Sequence, residues 1–271
     1  MKKIVVPVDF SEDSIKAVNV AINIAKQNKE IEVKLVHINT FLAEPGLNVD
    51  TAMKILNEHK NEMLSSIRKV KNMFKGTNVK VHSQIEVDAF VSQGVVNIAK
   101  DYEADLIIMG TLGSNTLIKK IIGSNTLSVI DQTEIPVLVV RTDLLDYNIK
   151  DILFVSEENQ GINVSYLDKA KKFASDINAS IKILVVKNIT TNIQEEVNSI
   201  NHIGDISIEY INSSETLVNV LNDYIERKAP YGLIAMPTLK YGFFEKLWNT
   251  EDINALVNKA HFPLLLYPYN K

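Results

Sequence analysis

Gly110-Thr111-Leu112-Gly113 closes a short apolar run, and nine residues later the chain reads Gly123-Ser124-Asn125-Thr126. Two glycines directly after a strand let the backbone turn tightly and come close to a ligand. A Gly-Ser pair that opens a helix offers unpaired backbone N–H groups and the positive end of the helix dipole to an anion. Ser124 and Thr126 add hydroxyl donors. Together they describe a phosphate cradle built from backbone rather than from a basic pocket. It is not a P-loop, because G-x-x-x-x-G-K-[ST] is absent, and there is no G-x-G-x-x-G either. On residue type alone, loop glycines with a serine N-cap account for the same letters equally well.

The elements that must position these residues favour the cradle. Apolar runs rich in β-branched residues, Ile4–Val8, Val33–Ile38, Val79–Val87, Leu106–Met109 and Ile135–Val140, alternate with segments of helical period over Ser14–Ala25, Ala52–Phe74 and Phe90–Lys100. That alternation predicts parallel strands joined by crossover helices. If strand one is central, the first crossovers build one side of the sheet and strand four lies on the other. The loops after strands one and four then flank the topological switch point, where open α/β sheets bind ligands. Asp9, at the carboxyl end of strand one, faces the same crevice, although a turn or N-cap role competes for it and Ser11 competes for the cap.

The pattern then repeats, with strands expected at Asp151–Val155, Ile181–Val186, Ile206–Ile211, Leu233–Met236 and Leu264–Tyr267. Asp105–Leu112 lies over Gly232–Leu239, and Ile135–Val140 over Phe262–Tyr267, both at one offset of 127. At the amino ends Ile4–Val8 lies over Asp151–Val155, so the second copy is shorter in its middle, with the long helix reduced to a stub around Ile193–Ile200. The expected fold class is α/β: two tandem open, mostly parallel five-stranded sheets with helices on both faces, Rossmann-like, in strand order 3-2-1-4-5. The expected domains are residues 1–145 and 146–271.

The first-strand stretch Ile4-Val-Val-Pro-Val-Asp-Phe-Ser-Glu12, the strand end Val36-His-Ile38 and above all Gly110-x2-Gly113-x9-Gly123-Ser124 resemble the universal stress protein family in its tandem form. The last of these matches that family's ATP-binding signature G-x2-G-x9-G-[ST]. The resemblance implies that Asp9 and the backbone at Pro7 and Val8 lie by the adenine and ribose, that Ile38 contacts the adenine, and that Met109 and Gly110 lie beside the nucleoside. It also implies that Gly113, Gly123, Ser124, Asn125 and Thr126 hold the phosphates of ATP (or ADP or AMP), with Mg²⁺ bound through those phosphates.

In the second copy the motif is lost. Gly110 maps to Pro237, Gly113 to Lys240, Gly123 to Thr250, Ser124 to Glu251 and Asp9 to Ser156. Proline removes a backbone donor, and glutamate sets a negative charge where phosphate would sit. The second copy is therefore expected not to bind ATP by this route. The resemblance, in whose family's dimers fifth strands meet, together with the apolar fifth strands, implies that it pairs with the first, fifth strand against fifth strand, in an intramolecular pseudo-dimer. Further homodimers are compatible with this.

Other candidates are weaker. The five histidines (His37, His59, His82, His202 and His261) show no metal spacing, and only His37 borders the crevice. Lys119 and Lys120 could reach a triphosphate or belong to a solvated turn. Phe243, Phe244 and Trp248 replace the phosphate loop in the second copy and read as core or interface. No nucleophile–base pair stands out, so nothing beyond slow ATP hydrolysis is expected. The leading function is a cytoplasmic, nucleotide-dependent stress sensor or switch; the alternatives are an adenylating or ATP-pyrophosphatase enzyme and an interaction module without nucleotide.

Composition supports a globular protein and narrows its partners. Of 271 residues, 46% are hydrophobic and 23% charged, which excludes a disordered chain. A net charge of −4, with neither half basic, argues against nucleic acid as a partner. No apolar run approaches the roughly 18 residues of a membrane span. Asp9 ends the first apolar run too early for a signal peptide, and without cysteine there is no disulfide framework or thiolate metal site.

Overall fold

A computed structural model of the chain describes residues 1–40, 48–110, 123–140, 149–157, 164–188, 199–203, 206–215, 217–228, 232–238 and 263–268. The chain divides into two compact units, Met1–Thr142 and Asp143–Lys271.

In the first unit, β1 (Lys3–Pro7), β2 (Glu32–Asn39), β3 (Lys80–Val87), β4 (Leu106–Gly110) and β5 (Val137–Val140) alternate with α1 (Glu12–Gln27), α2 (Val49–Asn72), α3 (Val91–Asp101) and α4 (Ser124–Gln132). The strand order is β3-β2-β1-β4-β5, all parallel, with Ile4 opposite both Val33 and Leu106. Ile4, Val5 and Val6 of β1 and Leu106, Ile107 and Ile108 of β4 are buried, as strands covered on both faces require. Right-handed crossovers set α1 and α2 on one face and α3 and α4 on the other.

Local chemistry explains where the helices begin. Ser11 caps α1, its Oγ accepting the Ser14 N–H at 3.3 Å, with Glu12 and Asp13 in the first turn and Lys26 in the last. These charges suit the helix dipole. Asn48 caps α2 by accepting the Thr51 N–H at 2.8 Å. Ala17, Val18, Ala21, Ile24 and Ala25 of α1 are buried at three- and four-residue intervals, the apolar stripe that binds a helix to a sheet.

The second unit contains β6 (Asp151–Glu157), α5 (Val164–Asp176), β7 (Ser180–Asn188), β8 (Ser199–Ile203), β9 (Ile206–Ser213), α6 (Leu217–Arg227), β10 (Leu233–Pro237) and β11 (Leu264–Tyr267). Its order is β8-β9-β7-β6-β10-β11, parallel except for β8. Five of these strands follow the expected order, but the described residues of this unit form six strands instead of five. β8 pairs antiparallel with β9 and covers what would be an open sheet edge. Ser199 and Ile200, expected at the end of a helical stub, belong to this strand. The dipeptide Gly204-Asp205 between β8 and β9 is a hairpin signal in sequence.

Candidate functional site

The first unit builds outward from β1 to β2 and β3, then returns to place β4 on the opposite side of β1. The reversal lies between β1 and β4, and their carboxyl ends, Pro7–Asp9 and Gly110, form its rim. This is the switch-point geometry that leaves a crevice between diverging loops.

Gly110 is required by packing. A Cβ on it would stand 2.7 Å from the carbonyl carbon and oxygen of Asp13 and 2.8 Å from its Cβ. The first turn of α1 therefore rests directly on the end of β4. The Gly110 carbonyl accepts the Thr126 hydroxyl at 3.0 Å, which ties the first turn of α4 to the same point. Thr126 is buried. Its hydroxyl, expected as a phosphate donor, is committed to the strand end and positions the helix instead.

At the start of α4 the N-cap is Gly123, whose φ of −69° is ordinary and which supplies no side-chain cap. The first bond of the helix runs from the Leu127 N–H to the Gly123 carbonyl at 3.0 Å. Ser124 and Asn125 are exposed. A helix start without a side-chain cap, presenting the equivalent of about half a positive charge, suits an oxyanion. Gly113, Lys119 and Lys120 lie outside the described residues.

Across the crevice, Asp9 is exposed and bridges over Phe10. Its Oδ1 accepts the Ser11 N–H at 3.0 Å and also the Ser11 hydroxyl. Ser11, not Asp9, is the helix cap, so the competition over that cap resolves in favour of serine. Val8 uses both backbone groups: its N–H donates to the Val36 carbonyl, and its carbonyl accepts His37 Nδ1, each at 2.7 Å. The Phe10 and His37 rings stack with centroids 4.7 Å apart. Ile38 is buried over Gly94, where a Cβ would come within 2.8 Å of Ile38 Cδ1. Met109 is buried and Pro7 half-buried. Pro7, Val8, Asp9, Ile38, Met109 and Gly110 thus share the carboxyl edge of three neighbouring strands.

Neither the ring stack nor the tight Gly110 packing was expected from the residues. Position 10 carries phenylalanine, which gives no turn signal, whereas the glycine at 110 was a signal with two physical explanations.

Charge clusters lie away from this edge. At the amino ends of β1, β2 and β3, Lys80 bonds the Glu32 carboxylate at 2.7 Å, His82 approaches it at 3.3 Å and the Tyr102 hydroxyl at 3.4 Å. The Lys80 hydrogen bond leads the lowering of the Glu32 pKa, while burial and the Glu32 charge push the Tyr102 phenol up to about 12. In the second unit Glu209 accepts Lys182 at 2.8 Å and the Tyr224 hydroxyl at 2.8 Å, with Lys228 at 3.5 Å. Burial pushes that carboxyl up, but these partners outweigh it and hold it below its ordinary value.

The corresponding strand ends in the second unit differ in chemistry. β10 ends in Pro237, in register with Tyr267, and Ser156 at the Asp9 position is buried. The Thr238 N–H donates to the Tyr267 carbonyl at 2.7 Å. Lys240, Thr250, Glu251, Phe243, Phe244, Trp248 and His261 lie outside the described residues.

Among known proteins, the profile of the Universal stress protein family matches residues 1–141. Universal stress protein MJ0531 of Methanocaldococcus jannaschii is 35% identical over 141 residues, covering 52% of this chain and 82% of that protein. Universal stress protein MJ0577 of the same organism is 31% identical over 156 residues, covering 52% and 94%. The crystal structure of a universal stress protein from Archaeoglobus fulgidus superposes with a TM-score of 0.68 at 18% identity, covering 99% of this chain and 97% of that one. At that identity the likeness is one of fold.

Proposed function

Because the chain belongs to the universal stress protein family, we propose that its first domain, residues 1–145, binds an adenine nucleotide, ATP foremost, as a nucleotide-dependent switch in a cytoplasmic stress response. The observation that carries this reading is the start of α4, without a side-chain cap and tied by Thr126 to Gly110 at the β1–β4 switch point. The backbone N–H groups of Ser124 and Asn125 and the Ser124 hydroxyl would take the phosphates. Asp9 would face the ribose, and Ile38 and Met109 the base. Mg²⁺, carried by the phosphates, would neutralise their charge; the exposed Asp9 carboxylate on the opposite rim is a hard oxygen donor suited to it.

The second domain, residues 146–271, would be a degenerate copy that binds no nucleotide. Pro237 has no N–H where Gly110 has one, and the buried Ser156 lacks the carboxylate of Asp9. Its role would be to pair with the first domain. β5 and β11 are four-residue, wholly apolar or aromatic strands, each the last described strand of its unit, and apolar strand edges call for a partner.

The test begins with what the purified chain carries. Heat-denaturing it and running the supernatant on anion exchange should release an adenine nucleotide. Stripped protein titrated calorimetrically with MgATP should then take up one equivalent per chain. Absence of both signals overturns nucleotide binding, two equivalent sites overturn its confinement to the first domain, and turnover dependent on a second substrate would favour an adenylating enzyme.

A further inference from the structure

Three described non-glycine residues have left-handed backbone: Phe10 (φ 65°), Glu103 (φ 53°) and Asn178 (φ 51°). Two of them simply end helices. Past α3 the Ala104 N–H returns to the Ala99 carbonyl at 2.9 Å, and past α5 the Ala179 N–H returns to Ala174 at 2.9 Å. Left-handed residues are ordinary at such helix ends. Phe10 instead lies between a strand and a helix start, at the rim of the candidate site, where a bulky residue avoids this conformation unless its surroundings impose it.

Those surroundings come from β2. His37 Nδ1 donates to the Val8 carbonyl at 2.7 Å, and its ring stacks on Phe10 at 4.7 Å with 29° between the planes. One side chain thus holds the residue two before Phe10 by a hydrogen bond and Phe10 itself by ring contact. Asp9 lies between these two anchors, and its carboxylate reaches across Phe10 to Ser11. Rotating φ at Phe10 out of the left-handed region would break the Asp9–Ser11 bridge and carry the carboxylate elsewhere.

We propose that His37 and Phe10 form a clamp that presets the β1–α1 turn, making His37 a positioning residue that acts on nucleotide affinity through Asp9. The proposal rests on the nucleotide-binding reading above. Since the Val8 carbonyl can only accept, the clamp requires a proton on Nδ1. Binding then starts from a turn already in place, and the ordering cost that a loose turn would add is absent.

The full-length chain tests this through MgATP affinity and urea stability. Phe10→Gly removes the stack together with the reason for strain, because glycine accepts positive φ freely. Its stability should hold or rise while affinity falls about 3- to 10-fold, the worth of one aromatic stack; a purely structural role would move both together. His37→Asn keeps an amide N–H in place of Nδ1 and should bind better than His37→Ala. In an Asp9→Ala background, His37→Ala should cost nothing further, as expected of two residues acting as a unit. Unchanged affinity in both Phe10→Gly and His37→Ala overturns the clamp, as does a His37→Ala loss that persists without Asp9. If the wild-type chain binds no nucleotide, it is the functional reading that fails. Nitrogen-15 NMR of His37 tests the clamp separately: a proton on Nδ1 supports it, and a proton on Nε2 alone overturns it.

Discussion

At the scale of single residues, the site is shaped by atoms that have no room to move. The Cβ that Gly110→Ala would add meets backbone of α1, not the end of a flexible side chain. The substitution should cost about 1–3 kcal/mol, the usual range for overpacking, measurable by urea denaturation. Tyr267 presents the opposite case: its buried hydroxyl has no hydrogen-bond partner among the described residues, and burial pushes its pKa up. Tyr267→Phe removes an unsatisfied polar atom and keeps the ring, so stability should rise by up to about 1 kcal/mol. Glu209 carries a pH prediction. Its folded pKa is lowered, so its contribution is complete above the unfolded value of about 4.3 and lost as pH falls through the folded value. Glu209→Gln should therefore be less stable than wild type at pH 7, with the deficit shrinking as both are acidified below pH 4. A deficit that stays constant with pH would mean that the Lys182–Glu209–Tyr224 cluster acts through shape alone.

At the scale of elements, α4 separates binding from folding. Ser124 is exposed in the first helical turn, where a negative side chain interacts favourably with the dipole by about 0.3–1 kcal/mol. Ser124→Glu should keep or raise stability while abolishing nucleotide uptake, because its carboxylate would occupy the place of a phosphate. Gly123→Val should abolish uptake by a different route, setting a branched side chain where phosphate approaches the backbone. Wild-type affinity in either folded variant, by calorimetry, would move the phosphates elsewhere. Most elements were legible from the sequence because their signals are local: strands one to four and the helices α1 to α3 follow from apolar periodicity. The strand β8 was hidden because the comparison with the first copy called for a helix there, although Gly204-Asp205 carried the hairpin signal.

At the scale of the whole molecule, the first domain should depend on its partner. Val137–Val140 is apolar throughout and is the last strand of the first unit in chain order. Expressed as residues 1–145 alone, that domain should self-associate through this strand or aggregate, with its sedimentation or light scattering rising with concentration. A fragment that stays monomeric and as heat-stable as the full chain would show that fifth-strand pairing is not what joins the halves.

The sequence by itself determined the α/β class, the alternation of strands with crossover helices and the spacing of the glycines after strand four. Each of these depends on residues near one another along the chain: strand runs, helical periods and turn formers. Only the tertiary structure decided what the individual site residues do. Gly110 is glycine because α1 presses on it, the Thr126 hydroxyl is spent on a carbonyl 16 residues away, and Phe10 is held left-handed beside His37, whose bond to Val8 spans 29 positions. Such contacts arise when crossovers bring separate strand ends to one edge. No local propensity encodes them, because the atoms that impose them belong to other elements.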